Sequence, residues 1–148
     1  MAERGYYKSR AHARQLVTFQ NMRFGNITPT DIDVFMDFQN RLFIIGETKY
    51  GNADLPFGQR LAIERMCDSM HSPPNRWAVA FILHHNTQGD IDVAETLVSA
   101  YRWNKEWRKP LTQGVTFKEG VTIIRQRMLE MESPLGSPNH TSGLVPQT

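Results

Sequence analysis

The sequence predicts an α/β fold with one mixed β-sheet flanked by helices, and three observations predict it. Short runs rich in β-branched and aromatic residues alternate with stretches whose apolar residues recur at helical spacing. Each change of pattern falls on a cluster of Gly, Pro, Asn or Asp. The resulting order, α-β-β-α-β-β-α, implies a single sheet with helices packed against it.

Residues 8–24, "KSRAHARQLVTFQNMRF", space Ala13, Leu16, Val17, Phe19 and Phe24 as a first helix, which "GNITPT" breaks. "DIDVFMDF" (31–38) and "LFIIGETKY" (42–50) are strand-like and separated by the turn-prone "QNR". "GNADLP" is a loop whose Pro56 suits the opening of a helix. The helix is "FGQRLAIERMCDSM", with Ile63, Met66, Cys67 and Met70 on one stripe, and "SPPN" stops it. "RWAVAFILHH" reads as a buried strand. "VAETLVSAYRW" follows the turn "NTQGD" as another strand, with a short helix as the alternative. A final helix starts near Phe117.

The chain has 148 residues, which suits one modest core, here assigned to a single domain over 1–132. From Ser133 the composition turns to Pro, Gly, Ser and Thr, the signature of a disordered tail over 133–148. No stretch is apolar enough to cross a bilayer or to act as a secretory signal, so a cytoplasmic protein with no membrane partner is expected. Cys67 is the single cysteine, which excludes an intramolecular disulfide and a thiolate metal cluster. The net charge of +2 permits a nucleic-acid partner without demanding one. Arg10 and Arg14 make the first segment basic, while Arg102, Lys105, Arg108 and Lys109 surround Trp103 and Trp107. Cations among aromatics can hold phosphates while bases stack; a solvated strand end is the plainer alternative. His84 and His85 are adjacent on a strand and point to opposite faces, so one ion does not suit both.

The tetrapeptide "DIDV" occurs twice, at 31–34 and 90–93, each followed fourteen residues after its second aspartate by an acid, Glu47 and Glu106. For the first copy, a hairpin reversing near Asn40 makes partner numbers sum to eighty, so Asp33 faces Glu47 and Asp31 faces Lys49. Opposed residues share a face, with Cβ atoms roughly 4.5–5.5 Å apart. Asp31, Asp33, Glu47 and Lys49 then cluster at the open end, on the face of Phe35, Phe43 and Ile45. Ile32, Val34, Met36, Phe38, Leu42 and Ile44 line the other face. For the second copy the midpoint is Ser99, inside "LVSAY", where nothing favours a turn. Asp92 and Glu106 thus have no reason to meet. Two carboxylates about 5 Å apart repel unless one is protonated or a cation lies between them. A hard divalent ion with oxygen ligands, Mg²⁺, resolves this. Metal and ammonium together can polarise a phosphate and stabilise an attacking water. A surface ion pair of Lys49 with Asp31 or Glu47 is the competing reading.

"DIDVFMDFQNRLFIIGETK" resembles the core of the PD-(D/E)xK nuclease superfamily, which carries an aspartate on one strand and E-x-K on the next. The resemblance spans about residues 8–105, with its motifs in 31–59. It implies a restriction-endonuclease-like α-β-β-β-α-β core with an extra C-terminal strand and helix. It also implies Asp33 and Glu47 as metal ligands, the Thr48 carbonyl as a third oxygen, and Lys49 beside the nucleophilic water. The naming proline-aspartate pair is replaced by "PTD", which leaves Asp31 as an outer or alternate ligand. Some relatives add a glutamine on the helix after E-x-K, and Gln59 matches. The implied activity is Mg²⁺-dependent hydrolysis of phosphodiester bonds in DNA, branched or broken, often by homodimers, with Mn²⁺ able to substitute. Arg10, Arg14, Arg102, Lys105, Arg108 and Lys109 would hold phosphates. A non-catalytic DNA-binding or protein-interaction module and an RNA-directed nuclease stay open alternatives.

Overall fold

The computed structural model describes residues 15–132. The chain divides into two units, Met1–Asp31 and Ile32–Thr148. Within the first, residues 15–24 are not helical, contrary to the helix expected over 8–24. The backbone turns at Phe19–Met22, and Phe24 and Ile27 exchange hydrogen bonds of 2.8 and 2.9 Å around Gly25, whose φ is 62°. Leu16, Val17 and Phe24 lie exposed, so the apolar spacing has no surface to bury against, and a helix this short needs one.

The second unit is a five-stranded mixed sheet flanked by two helices. Strands β1 (Val34–Phe38) and β2 (Leu42–Tyr50) form a hairpin, helix α1 (Phe57–Met70) crosses to β3 (Trp77–His85), and β4 (Leu97–Trp103), β5 (Glu106–Arg108) and α2 (Phe117–Glu132) follow. The sheet order is β1-β2-β3-β4-β5; β2 and β3 are parallel, and every other neighbour is antiparallel. A parallel pair requires a crossover, and α1 supplies it.

The hairpin register is the one the sequence dictates: Val34 pairs with Gly46, Phe35 with Ile45 and Phe38 with Leu42, each pair summing to eighty. Gln39 and Asn40 take φ of 54° and 62°, and Arg41 N donates to Phe38 O at 3.0 Å. Two successive positive φ values match the twist of the flanking strands. The turn Asn104–Lys105 repeats the device, with φ of 51° and 68°, and folds the short β5 onto β4.

Alternation then sorts the side chains. Leu42, Ile44, Val79, Phe81 and Tyr101 pack with Phe117, Val121 and Ile124 of α2, and Phe43, Ile45, Ala78 and Ala80 pack with Ile63 and Cys67 of α1. Phe117 starts α2 where expected, after a Thr116 whose Oγ1 accepts from Glu119 N at 3.2 Å. One expectation shifts. Strand β1 begins at Val34, not residue 31, and Ile32 packs on the α1 side instead of beside Leu42 and Ile44. A bend at Asp33 interrupts the alternation there.

Candidate functional site

Glu47 sits on β2 with 5 % of its surface exposed, among the strand's buried run. Its Oε1 accepts from Gln59 Nε2 at 2.7 Å and lies 3.5 Å from Lys49 Nζ. Lys49 Nζ also donates to Gln59 Oε1 at 3.2 Å. The amide of Gln59 therefore donates to the acid and accepts from the ammonium, a double task that neither a carboxylate nor an amine could perform. Gln59 reaches the pair because it occupies the first turn of α1, four residues before the buried Ile63 and on the same stripe.

Asp33 meets the same strand from the hairpin side. Its Oδ2 accepts from both Thr48 N and Thr48 Oγ1 at 2.8 Å. A strand residue directs its N–H and C=O to the same edge, so the Thr48 carbonyl faces the edge that β1 leaves uncovered beyond Val34.

The electrostatics follow from the burial. Desolvation pushes the Glu47 carboxyl above its ordinary range, and the nearby Asp33 charge pushes it further; Gln59, Lys49 and the Asp33 backbone N–H pull it back only in part. Its second oxygen, Oε2, is buried without a hydrogen-bond partner. Such an atom normally finds one, because leaving it bare costs about 1–3 kcal/mol.

The structure thus brings Asp33, Glu47, Thr48, Lys49 and Gln59 together. Asp31 belongs to the first unit, and Arg10 and Arg14 lie outside the described residues. The second "DIDV" separates from its acid. Asp92 accepts from Ala94 N at 3.1 Å and caps a 3-10 turn before β4, whereas Glu106 follows β4 and pairs with Arg108 at 3.0 Å.

The remaining basic residues divide. Arg102 is held by Asp68 through bonds of 2.8 and 2.7 Å under α1, with its side chain 12 % exposed. Trp103 is buried on the α2 side, edge-on to His71. Lys105 is exposed in the β4–β5 turn. Arg108 and Lys109 line a cavity of about 960 Å³ together with Phe57, Arg60, His84 and Trp107.

That cavity opens beyond the carboxyl ends of β2 and β3, walled by the loop after β2 and the first turn of α1. Its lining does not include Asp33, Glu47 or Lys49 among the described residues, yet it lies on their face of the sheet. Glu47 pairs with Ile82, which pairs with Ala100, and Lys49 pairs with His84; paired residues share a face, and Ile82, Ala100 and His84 line the cavity. Sequence reasoning missed Phe57, Arg60 and this floor, because no local spacing announces a surface assembled from four separated segments. Comparison with protein-family models, with curated proteins and with solved structures returns no match.

Proposed function

We propose that the protein is a divalent-cation-dependent nuclease that hydrolyses phosphodiester bonds in DNA, with its chemistry at the open end of the β1–β2 hairpin. The observation that carries this reading is the buried Glu47 carboxylate, with one oxygen held by Gln59 and Lys49 and the other without a partner, beside a second carboxylate. An isolated ion pair gives no reason for that second oxygen to be bare. A hard cation bound by oxygen ligands gives one.

The donor set suits Mg²⁺: the Glu47 Oε2, the Asp33 carboxylate, whose bonds from Thr48 both fall on Oδ2, and the Thr48 carbonyl. When bound, such an ion lowers the pKa of water and polarises a phosphoryl oxygen. The chain's own residues do the rest. Lys49, anchored between Glu47 and Gln59, presents an ammonium that orients the attacking water and offsets charge developing on the phosphate. Gln59 fixes both neighbours so that little reorganisation is left for the reaction itself. The β-β-α-β order of this region, with the acid just before β1 and E-x-K and the glutamine on β2 and α1, supports a restriction-endonuclease-like core. A purely DNA-binding module is disfavoured by Lys49 standing 3.5 Å from Glu47 instead of turning away.

The test is incubation with linear, supercoiled and four-way-junction DNA in Mg²⁺ or EDTA. Cleavage is expected in Mg²⁺ alone, and Glu47→Ala and Lys49→Ala should each lower its rate by about 100-fold or more. Cleavage that survives both substitutions defeats the assignment, and cleavage confined to RNA substrates would move the activity to the other nucleic acid.

A further inference from the structure

We infer that the cavity beside the site binds an unpaired strand, so the nuclease acts where DNA is single-stranded or frayed; this rests on the nuclease reading above. The cavity of about 960 Å³ is of the size that encloses small organic groups, a few nucleotides at most. A base-paired duplex offers its phosphates on a convex surface and has no exposed base faces to insert. The floor, by contrast, is apolar: Ile82, Ala100 and Leu97 lie on it, and Phe57 stands at the rim with 80 % of its surface exposed. An aromatic left in water at the mouth of an apolar cavity is suited to base stacking, which works with any sequence.

Charge complements this floor. Arg60, Arg108 and Lys109 line the cavity against a single acid, Asp54. Arg60 is steadied by Glu64 at 3.1 Å, which positions it without using all its guanidinium donors. Arg60 also lies over the Trp107 ring at 5.5 Å, so the indole serves as its support and Phe57 is the stacking face.

Position completes the argument. Strands lie about 4.8 Å apart, so the floor at Ile82 and Ala100 begins roughly 5–10 Å from Glu47. A phosphate held at Glu47 and Lys49 therefore has its neighbouring nucleotide over the cavity.

The experiment measures fluorescence anisotropy of a labelled twelve-nucleotide thymidylate strand, and of the same strand in duplex, with the full chain in EDTA. Single strand should bind at least tenfold more tightly than duplex. Phe57→Ala and Lys109→Ala, both at exposed positions, should weaken single-strand binding about five- to thirtyfold while the melting midpoint stays put. Leu97→Trp, which fills the cavity from its lining, should do the same. Equal affinity for duplex, or indifference to all three substitutions, overturns the inference. The two readings fail separately. Strand binding without Mg²⁺-dependent cleavage leaves the groove standing and removes the nuclease, and cleavage with no strand preference does the reverse.

Discussion

At the scale of single residues, Glu47 is the strained member of the site, and the strain has a measurable sign. Its folded carboxyl titrates above the 4.5 of an unperturbed glutamate, chiefly through desolvation. The native state therefore binds more protons than the unfolded chain as the pH rises through and above 4.5, and Glu47 subtracts stability as it ionises. Below that window the penalty is absent. Glu47→Gln should accordingly raise the melting midpoint at pH 7 in EDTA, and the advantage should shrink as the pH falls towards 4.5 and be lost below it. Adding Mg²⁺ should raise the wild-type midpoint and leave Glu47→Gln unmoved, because the ion would stabilise only the form that holds it. A Glu47→Gln variant less stable than wild type at pH 7 in EDTA would show that Lys49 and Gln59 fully compensate the buried charge. Much of this site was legible in the sequence: the E-x-K triplet, the opposing acid and the glutamine on the inward stripe could all be placed by period and register. The bare Oε2 could not, since it depends on which side chains surround one atom.

At the scale of elements, the hairpin was readable because both its faces are specified. A slip of one residue would turn Leu42 and Ile44 to the α1 face and set Glu47 against α2. The first strand was overextended by three residues for a physical reason: Asp31, Ile32 and Asp33 keep the alternating composition, but the Asp33 carboxylate bends in to bind Thr48 N and Oγ1, and the ladder starts only afterwards. The apolar spacing misled over 15–24, the described part of the expected helix, because periodicity reports a face without guaranteeing a surface to receive it. Packing constrains β2 one residue before the site. A Cβ on Gly46 would meet Val34 Cβ at 3.2 Å, Phe117 Cζ at 3.3 Å and Leu83 Cδ1 at 3.4 Å. These neighbours come from β1, α2 and β3, so no single element can move aside. Gly46→Ala should cost about 1–3 kcal/mol in chemical denaturation and lower any activity through displacement of Glu47. An alanine variant of unchanged stability would mean that α2 yields at Phe117.

At the scale of the whole sheet, the basic residues that look alike in the sequence have different employment. Arg102 alternates onto the α1 face, where Asp68 takes both ends of its guanidinium and Glu64 stands 4.0 Å away. Removing it leaves Asp68 without its partner, so Arg102→Ala should destabilise the fold by about 2–4 kcal/mol. Arg60 and Lys109 line the cavity, and their loss should be felt in binding. No spacing rule distinguishes Arg102 from Arg108, because the difference arises only when β5 folds back at Asn104–Lys105 and sets Trp107 opposite Arg102. The cavity was likewise illegible, being built from the β2–α1 loop, β3, β4 and β5. Ionic strength reads out the consequence. Each phosphate neutralised on a single strand contributes about −0.7 to the slope of log affinity against log salt. Arg60 and Lys109 in the cavity thus predict a slope of roughly −1.4, reduced toward −0.7 by Lys109→Ala. Lys105, out on the exposed β4–β5 turn, should leave the slope unchanged when replaced by alanine. A slope that falls equally for both substitutions would place the strand across the outer turn, and the groove would then not be its path.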